Sequence, residues 1–349
     1  MSFEEGRKAF KRGDYGPGLA MLEDFFESLV GQESRSNGLR GDERQAFLEL
    51  AQLHQRLDDD SLRSLELLEE LVENDIKVFG ADSKELATSR LELADAYQEL
   101  EHPDLARAEQ LVAEAEAHAD PGLVCYARAS IAFDRNDYVT ALELLDRALV
   151  LVPDDDRERR ALVLNLKALS HQEMGNFPDA LKFRVAEMQL AGQVYGEDHP
   201  EFATSLESLA DLYLEMRARA KSLLITQNVI RIRRAKLGED SSFTLDSEED
   251  LIETELAWLN NLSTKTDFRV CFGCDRVASG LKKCATCKQA WWCSEECQGK
   301  RSHAKECSMF VEMFAKATEK AEAAKKKKAG KKNSKGQQKK KPGNKPKKQ

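Results

Sequence analysis

The chain has 349 residues, of which 41% are hydrophobic, 33% charged and 7% aromatic, with a net charge of −9. That length suits about two domains at roughly 150 residues each, and the scarcity of aromatics beside abundant Leu, Ala, Glu, Lys and Arg points to helices rather than a β-sandwich. No run of about 18 apolar residues occurs, which excludes a membrane-spanning helix. The acidic start from Met1 to Glu5 lacks a signal-peptide core, so an intracellular protein, cytoplasmic or nuclear, is expected.

The charge is unevenly spread. Residues 325–349 hold 13 Lys and no acid, and residues 271–324 are +2, so residues 1–270 carry −24 of the total of −9. An acidic body with a basic tail is predicted.

In chain order, the first feature is self-similarity. Gly13-Asp14-Tyr15 opens a pattern that returns as Asn136-Asp137-Tyr138 and Gly175-Asn176-Phe177. Leu48-Glu49-Leu50-Ala51 recurs as Leu91-Glu92-Leu93-Ala94, 43 residues on. The stretch from Val78 to Tyr97 returns 116 residues later from Val194 to Tyr213, and Gly196-Glu197-Asp198 returns 42 residues on at Gly238-Glu239-Asp240. Each unit reads as a helical hairpin. Ala51, Ala94, Ala129, Ala168 and Ala210 are placed mid-helix, where a second helix can approach closely, and a Gly/Asn/Asp-aromatic turn leads into a second amphipathic helix. In Val139 to Val150, for example, Ala141, Leu142, Leu145, Ala148 and Leu149 share a face, and Pro153 with Asp154 to Asp156 ends the helix. One hairpin cannot bury its apolar face alone, so stacked neighbours must form the core.

This pattern resembles the tetratricopeptide repeat, and the stretch at 196–206 is similar to the longer kinesin light chain-type variety. The resemblance covers residues 1–260, with about six repeats and a final helix near Ser247 to Asn260. It implies an all-α superhelix whose concave face binds peptide segments of partner proteins. Kinesin light chain-type repeats commonly carry an Asn pair before the mid-helix Ala that contacts cargo. Here Glu207 and Ser208 stand at one such place, Leu91 and Glu92 at another, and only Asn165 survives. The acidity of the array suits basic partner segments, or is simply a solvated outer surface.

Cys125 stands alone on an apolar helical stretch and reads as a buried structural thiol. His54, His102, His118, His171 and His199 are scattered through the repeats and read as turn or surface residues.

After a linker at 261–270, the remaining seven cysteines cluster. Cys271-x2-Cys274 and Cys284-x2-Cys287 are followed by Cys293-x3-Cys297 and His303-x3-Cys307. Seven thiols and one imidazole are the ligands for two tetrahedral zinc ions. A segment of this length with few large apolar residues needs metal to fold, each structural zinc supplying on the order of 10 kcal/mol. With all eight donors used, no coordination position is left open for catalysis.

The spacing, with Trp291-Trp292 before the fifth of these cysteines, resembles the MYND zinc finger over 271–307. The family's interleaved topology implies that Cys271, Cys274, Cys293 and Cys297 hold one zinc and Cys284, Cys287, His303 and Cys307 the other; spacing alone also allows a sequential pairing. The chain departs from the family between Cys297 and His303, where five residues, Gln298 to Ser302, stand without the usual Trp. In the family that Trp and the Gln at the place of Gln298 help form a groove for short Pro-containing peptides.

Residues 308–324 are expected to continue as a helix, and the Lys-rich 325–349 as a disordered tail. Lys325 to Lys328 suits a nuclear-import signal, a non-specific contact to RNA or another polyanion, or a solubilising end. No phosphate-binding Gly-rich loop, nucleophile elbow or zinc-deaminase motif occurs. The expectation is a non-enzymatic, zinc-binding adaptor or scaffold for protein partners, with no small-molecule substrate. A nucleic-acid-associated factor acting through finger and tail is the alternative.

Overall fold

The structure, a computed structural model, describes residues 3–30, 38–57, 61–259, 271, 281–285, 291, 292, 294 and 297. Among the described residues run the helices α1 (Phe3–Lys11), α2 (Tyr15–Val30), α3 (Gly41–Leu57), α4 (Ser61–Val78), α5 (Lys84–Gln98) and α6 (Leu105–Ala115). They continue with α7 (Pro121–Asp134), α8 (Tyr138–Leu151), α9 (Arg157–Glu173), α10 (Phe177–Val194), α11 (Pro200–Glu215), α12 (Arg219–Leu237) and α13 (Ser242–Leu259). A short ribbon of β1 (Lys282–Lys283) and β2 (Trp291–Trp292) follows. The described residues fall into two compact units, 1–212 with 225–247 and 213–224 with 248–349. No helix among the described residues is long and apolar enough to cross a membrane.

Consecutive helices pair as hairpins: α1 with α2, α3 with α4, α5 with α6, α7 with α8, and α9 with α10. Ala203 and Leu206 of α11 likewise pack with Val229 and Ile232 of α12. The turns explain why these residues form hairpins. Asn136 and Gly175 take the left-handed conformation, at φ 61° and 71°. That reversal lets Asp137 N–H reach back to Ala132 O at 2.8 Å and Asn176 N–H to His171 O at 2.8 Å, satisfying carbonyls the ending helix would leave open. The following helix then starts on an acidic cap. Asp137 accepts from Thr140 N–H at 3.2 Å, Asp104 from Arg107 N–H at 3.0 Å, Asp120 from Gly122 N–H at 2.8 Å and Asp156 from Arg159 N–H at 3.2 Å. A carboxylate at a helix N-terminus both accepts an orphan N–H and meets the positive end of the dipole. Part of the acidity of the body is therefore helix-capping charge.

The small residues do as their placement requires: Ala51, Ala94, Ala129, Ala168 and Ala210 are all buried. Around them one apolar cluster runs from Leu22 through Phe47, Leu50, Leu68, Leu93 and Leu111 to Val124 and Ile131. A second joins Cys125, Ala129, Leu145, Ala148, Val163 and Leu166, so Cys125 sits in the core between α7, α8 and α9. The core is thus a row of seams between successive hairpins, as a stacked repeat demands.

Candidate functional site

The first helices of successive hairpins, α5, α7 and α9, lie side by side, so polar residues at equivalent places on them form a continuous ladder. Arg7 on α1 pairs with Glu49 on α3 at 2.9 Å, and Gln45 also donates to Glu49 at 3.0 Å. One helix further, Gln52 donates to Glu92 at 2.9 Å and Gln55 to Asp95 at 3.2 Å. Both pairs are 40 residues apart, the reach from α3 to α5.

The next rung, at α7, is more acidic. Burial raises the pKa of Asp95, partly offset by the hydrogen bond from Gln55. Burial also raises the Tyr126 phenol, and the carboxylates of Asp95, Glu99 and Asp134 add to that effect. Asp134 is raised by burial and then by Asp95. Carboxylates held near one another and partly out of water are each easier to protonate and attract cations. Chemically, this face can accept hydrogen bonds and take a positive charge.

The positions that the kinesin light chain resemblance marks for cargo are mostly engaged by partners within the array. Asn165 accepts a hydrogen bond from the buried guanidinium of Arg184 on α10. Glu207 accepts from Arg233 Nη2 at 2.7 Å, Leu91 is buried, and Glu92 belongs to the ladder.

Arg233 belongs to a recurring polar seam that the sequence pattern did not reveal. Asp75 on α4 is fully buried; it receives Arg44 Nε at 2.9 Å, Arg44 Nη2 at 2.8 Å and Ser89 Oγ at 2.6 Å. At the equivalent seam Ser205 Oγ donates to the buried Glu187 at 2.5 Å, and at the next Arg233 donates to Ser247 Oγ at 2.7 Å. Burial raises the pKa of Glu187, with Ser205 and Arg184 opposing, and lowers that of Arg184. Ser89, Ser205 and Ser247 stand 116 and then 42 residues apart, the spacings of the internal repeat. That coincidence was the available signal, though nothing local indicated that a different ionisable partner, Asp, Glu or Arg, would meet each serine.

The histidines divide. His102 and His118 are exposed, and His199 lies in the turn before α11, as a turn or surface reading expects, although it is buried there; His54, buried within α3, departs from that reading. His199 Nδ1 accepts from Glu201 N–H at 3.1 Å and thereby caps α11, with its ring stacked on Tyr195. His171 stacks on Phe183 at 5.3 Å, and burial lowers its pKa.

Of the eight expected metal ligands, Cys271, Cys284 and Cys297 are described, while Cys274, Cys287, Cys293, His303 and Cys307 lie outside the described residues. The helix expected at 308–324 and the disordered tail expected at 325–349 also lie outside the described residues. Cys271 and Cys284 are buried and Cys297 is half-buried. Cys284 directly follows β1, which pairs antiparallel with β2, Lys282 opposite Trp292 and Lys283 opposite Trp291. Leu281 and Trp292 are buried beside it. Cys297 N–H donates to Ser294 Oγ at 3.1 Å, a turn that orients the half-buried thiol. With five of the eight donors outside them, the described residues include no group of three or more metal-binding side chains.

Residues 159–235, from α9 into α12, match the tetratricopeptide repeat family. With the same helix–turn–helix unit on either side of that stretch, the described array has an all-α, tetratricopeptide-like repeat fold. No curated protein matches it. Among solved structures the chain is similar to BtubC (BKLC) from P. vanneervenii, with 18% identity, a TM-score of 0.42, and coverage of 76% of this chain and 92% of that one. It is also similar to YrrB, a TPR protein with an unusual peptide-binding site, at 18% identity and a TM-score of 0.33, covering 58% of this chain and 91% of that one. A third similarity is to the TPR2AB domain of yeast Sti1 in its complex with pHSP90, at 12% identity and a TM-score of 0.31, covering 72% of this chain and 96% of that one. At such identities the fold rests on the family match and on the chain's own helix pairs.

Proposed function

We propose that this chain is a non-enzymatic adaptor that holds segments of partner proteins on the face formed by its first helices and carries a separate zinc-held, MYND-type finger. The observation that carries the first part is the ladder from Glu49 through Glu92 and Asp95 to Asp134. It is a run of acceptors ending in two carboxylates of raised pKa, Asp95 through burial and Asp134 through burial and then the charge of Asp95. A Lys or Arg side chain of a bound segment relieves that repulsion, so basic segments are the chemistry selected. The test is titration calorimetry with a synthetic Lys-rich peptide of about 20 residues. Neutralising the rung with Asp95→Asn and Asp134→Asn together should weaken binding by about tenfold, the scale of two partly screened ion pairs. Equal affinity before and after neutralisation would sink the choice of face.

The finger rests on donor chemistry. Seven thiols and an imidazole suit zinc, and the buried Cys271 and Cys284, with Cys284 ending a strand of a short ribbon, fit a structural site better than a reactive surface thiol. In the assignment that the resemblance implies, Cys271, Cys274, Cys293 and Cys297 hold one ion, and Cys284, Cys287, His303 and Cys307 the other. Bound zinc would cross-link the segment and supply no catalysis. Elemental analysis of the purified protein should return two zinc ions per chain and one for Cys284→Ser, with the helical circular dichroism preserved; zero metal in the unmutated chain rejects the finger.

A further inference from the structure

The same turn motif behaves in two ways along the array. At Asn136-Asp137-Tyr138 it stays local: Tyr138 OH donates to Asn136 Oδ1, two residues away, at 2.7 Å, and its ring lies edge-on to Phe133. At Gly13-Asp14-Tyr15 it reaches 186 residues along the chain, where Tyr15 OH donates to Glu201 Oε1 at 2.7 Å. The Tyr15 ring lies edge-on to His199, centroids 6.1 Å apart, and Tyr15 is itself buried. Lys236 Nζ on α12 donates to the backbone carbonyl of Arg12 at 3.3 Å.

The glycines show the same contrast. Gly13 and Gly175 occupy equivalent turns with similar left-handed φ, 78° and 71°. A Cβ on Gly175 would meet nothing within 4 Å, whereas one on Gly13 would lie 2.4 Å from Pro200 Cδ. Gly13 is therefore needed twice: for its own backbone conformation and because the first turn presses against the start of α11.

The chemistry of this contact differs from that of the seams. Leu22, Phe25 and Phe26 of α2 belong to the apolar cluster that also holds Phe47 and Leu50 of α3, with Phe26 edge-on to Phe47 at 5.1 Å. The contact with α11 and α12 is instead made by a phenol, an imidazole, a carboxylate, an ammonium group and a proline edge. Contacts made by polar groups and ring edges, outside the apolar cluster, open locally at lower free energy than a packed core.

We propose that the first hairpin is a latch: its turn, residues 12–15, docks reversibly on His199–Glu201 and Lys236, joining the first hairpin to the sixth, and its release is a conformational step of the array separate from unfolding. The consequence drawn for partners, that releasing the latch changes access to the first-helix face, rests on the proposed function; the latch itself does not.

Amide hydrogen exchange of the full chain tests it without any partner. Gly13→Ala is expected to speed exchange of the 201–205 amides at the start of α11 by about tenfold. Gly175→Ala, which strains an equivalent turn in open space, should leave those amides unchanged. Tyr15→Phe, which removes only the hydroxyl, should give a smaller rise in the same segment. In all three variants the amides of 86–96 in α5 should keep their protection. No change at 201–205 in Gly13→Ala, an equal change in Gly175→Ala, or loss of protection across α5 as well would each overturn the latch. The last outcome would make the contact an inseparable part of the fold.

Discussion

The repeat array is ordered by buried apolar surface, whereas the cysteine-rich segment, on the function proposed above, would be ordered by metal. In the array, Ala51, Ala94 and Ala129 let helices approach, and Leu50, Leu68 and Leu111 fill the space between them, while three of the seams also hold a buried ionisable group met by a serine. In the segment from Cys271 onward, the described apolar burial amounts to Leu281 and Trp292 beside the two cysteines. The lesson is that the first region should tolerate loss of metal and suffer from a buried mutation, while the second should do the reverse.

The largest expected effect tests the second half of that contrast. A strong chelator should unfold the cysteine-rich segment, at about 10 kcal/mol for each structural zinc removed. The near-ultraviolet signal of Trp291 and Trp292 should collapse while the far-ultraviolet helical signal of the array remains. A proportional loss of both signals would show that the two regions are not independently ordered.

Next in size is Asp75→Ala. It leaves the Arg44 guanidinium, whose side chain is 11% exposed, without its bidentate partner, and Ser89 without its acceptor. Removing one member of a buried pair costs about 3–5 kcal/mol, read as a lowered urea midpoint. Leu68→Ala, at a fully buried position in the same row, should cost about 2–5 kcal/mol through lost burial and the cavity left behind. Neither substitution should change the zinc content.

The smallest effect is Asp95→Asn, and its sign is opposite. The native pKa of Asp95 is raised by burial, so the folded chain binds that proton more readily than the unfolded one. Ionising Asp95 therefore destabilises the fold, a penalty absent below the ordinary carboxylate pKa of 3.8 and complete above the raised native value. Asparagine can still accept from Gln55 and carries no charge, so the variant should be more stable than the parent at pH 7. The gain should vanish as the pH falls below about 4. A variant less stable at pH 7 would mean that a cation already compensates Asp95.

Much of this molecule was legible beforehand, and the particular residues say why. Gly175 and Asn136 each specify a left-handed reversal, and Asp137 after Asn136 adds a capped restart, features decided within a few residues of chain. The thirteenth helix begins at Ser242, five residues before its expected start at Ser247, because the Gly238 turn closes on Thr244, whose hydroxyl donates to Gly238 O at 2.8 Å. The candidate site was less legible. Glu92 and Asp95 were visible as acids, but whether an acid caps a helix, lines a shared face or joins a buried seam depends on the neighbouring hairpin. His54 and His199 illustrate the same difficulty, since a histidine's surroundings come from residues far away in sequence.

By itself, then, the sequence determined the repeating hairpins, the turns between them, the small residues at the helix crossings and the clustering of thiols. All of these depend on local spacing and backbone preference. Only the tertiary structure decided that Asn165 serves Arg184, that Asp75, Glu187 and Arg233 take equivalent seams, and that Tyr15 finds Glu201 rather than its own turn. The physical reason is that a side chain's partner is set by how successive hairpins stack, and small angular differences between hairpins, which no local pattern encodes, accumulate over the repeats that separate Tyr15 from Glu201.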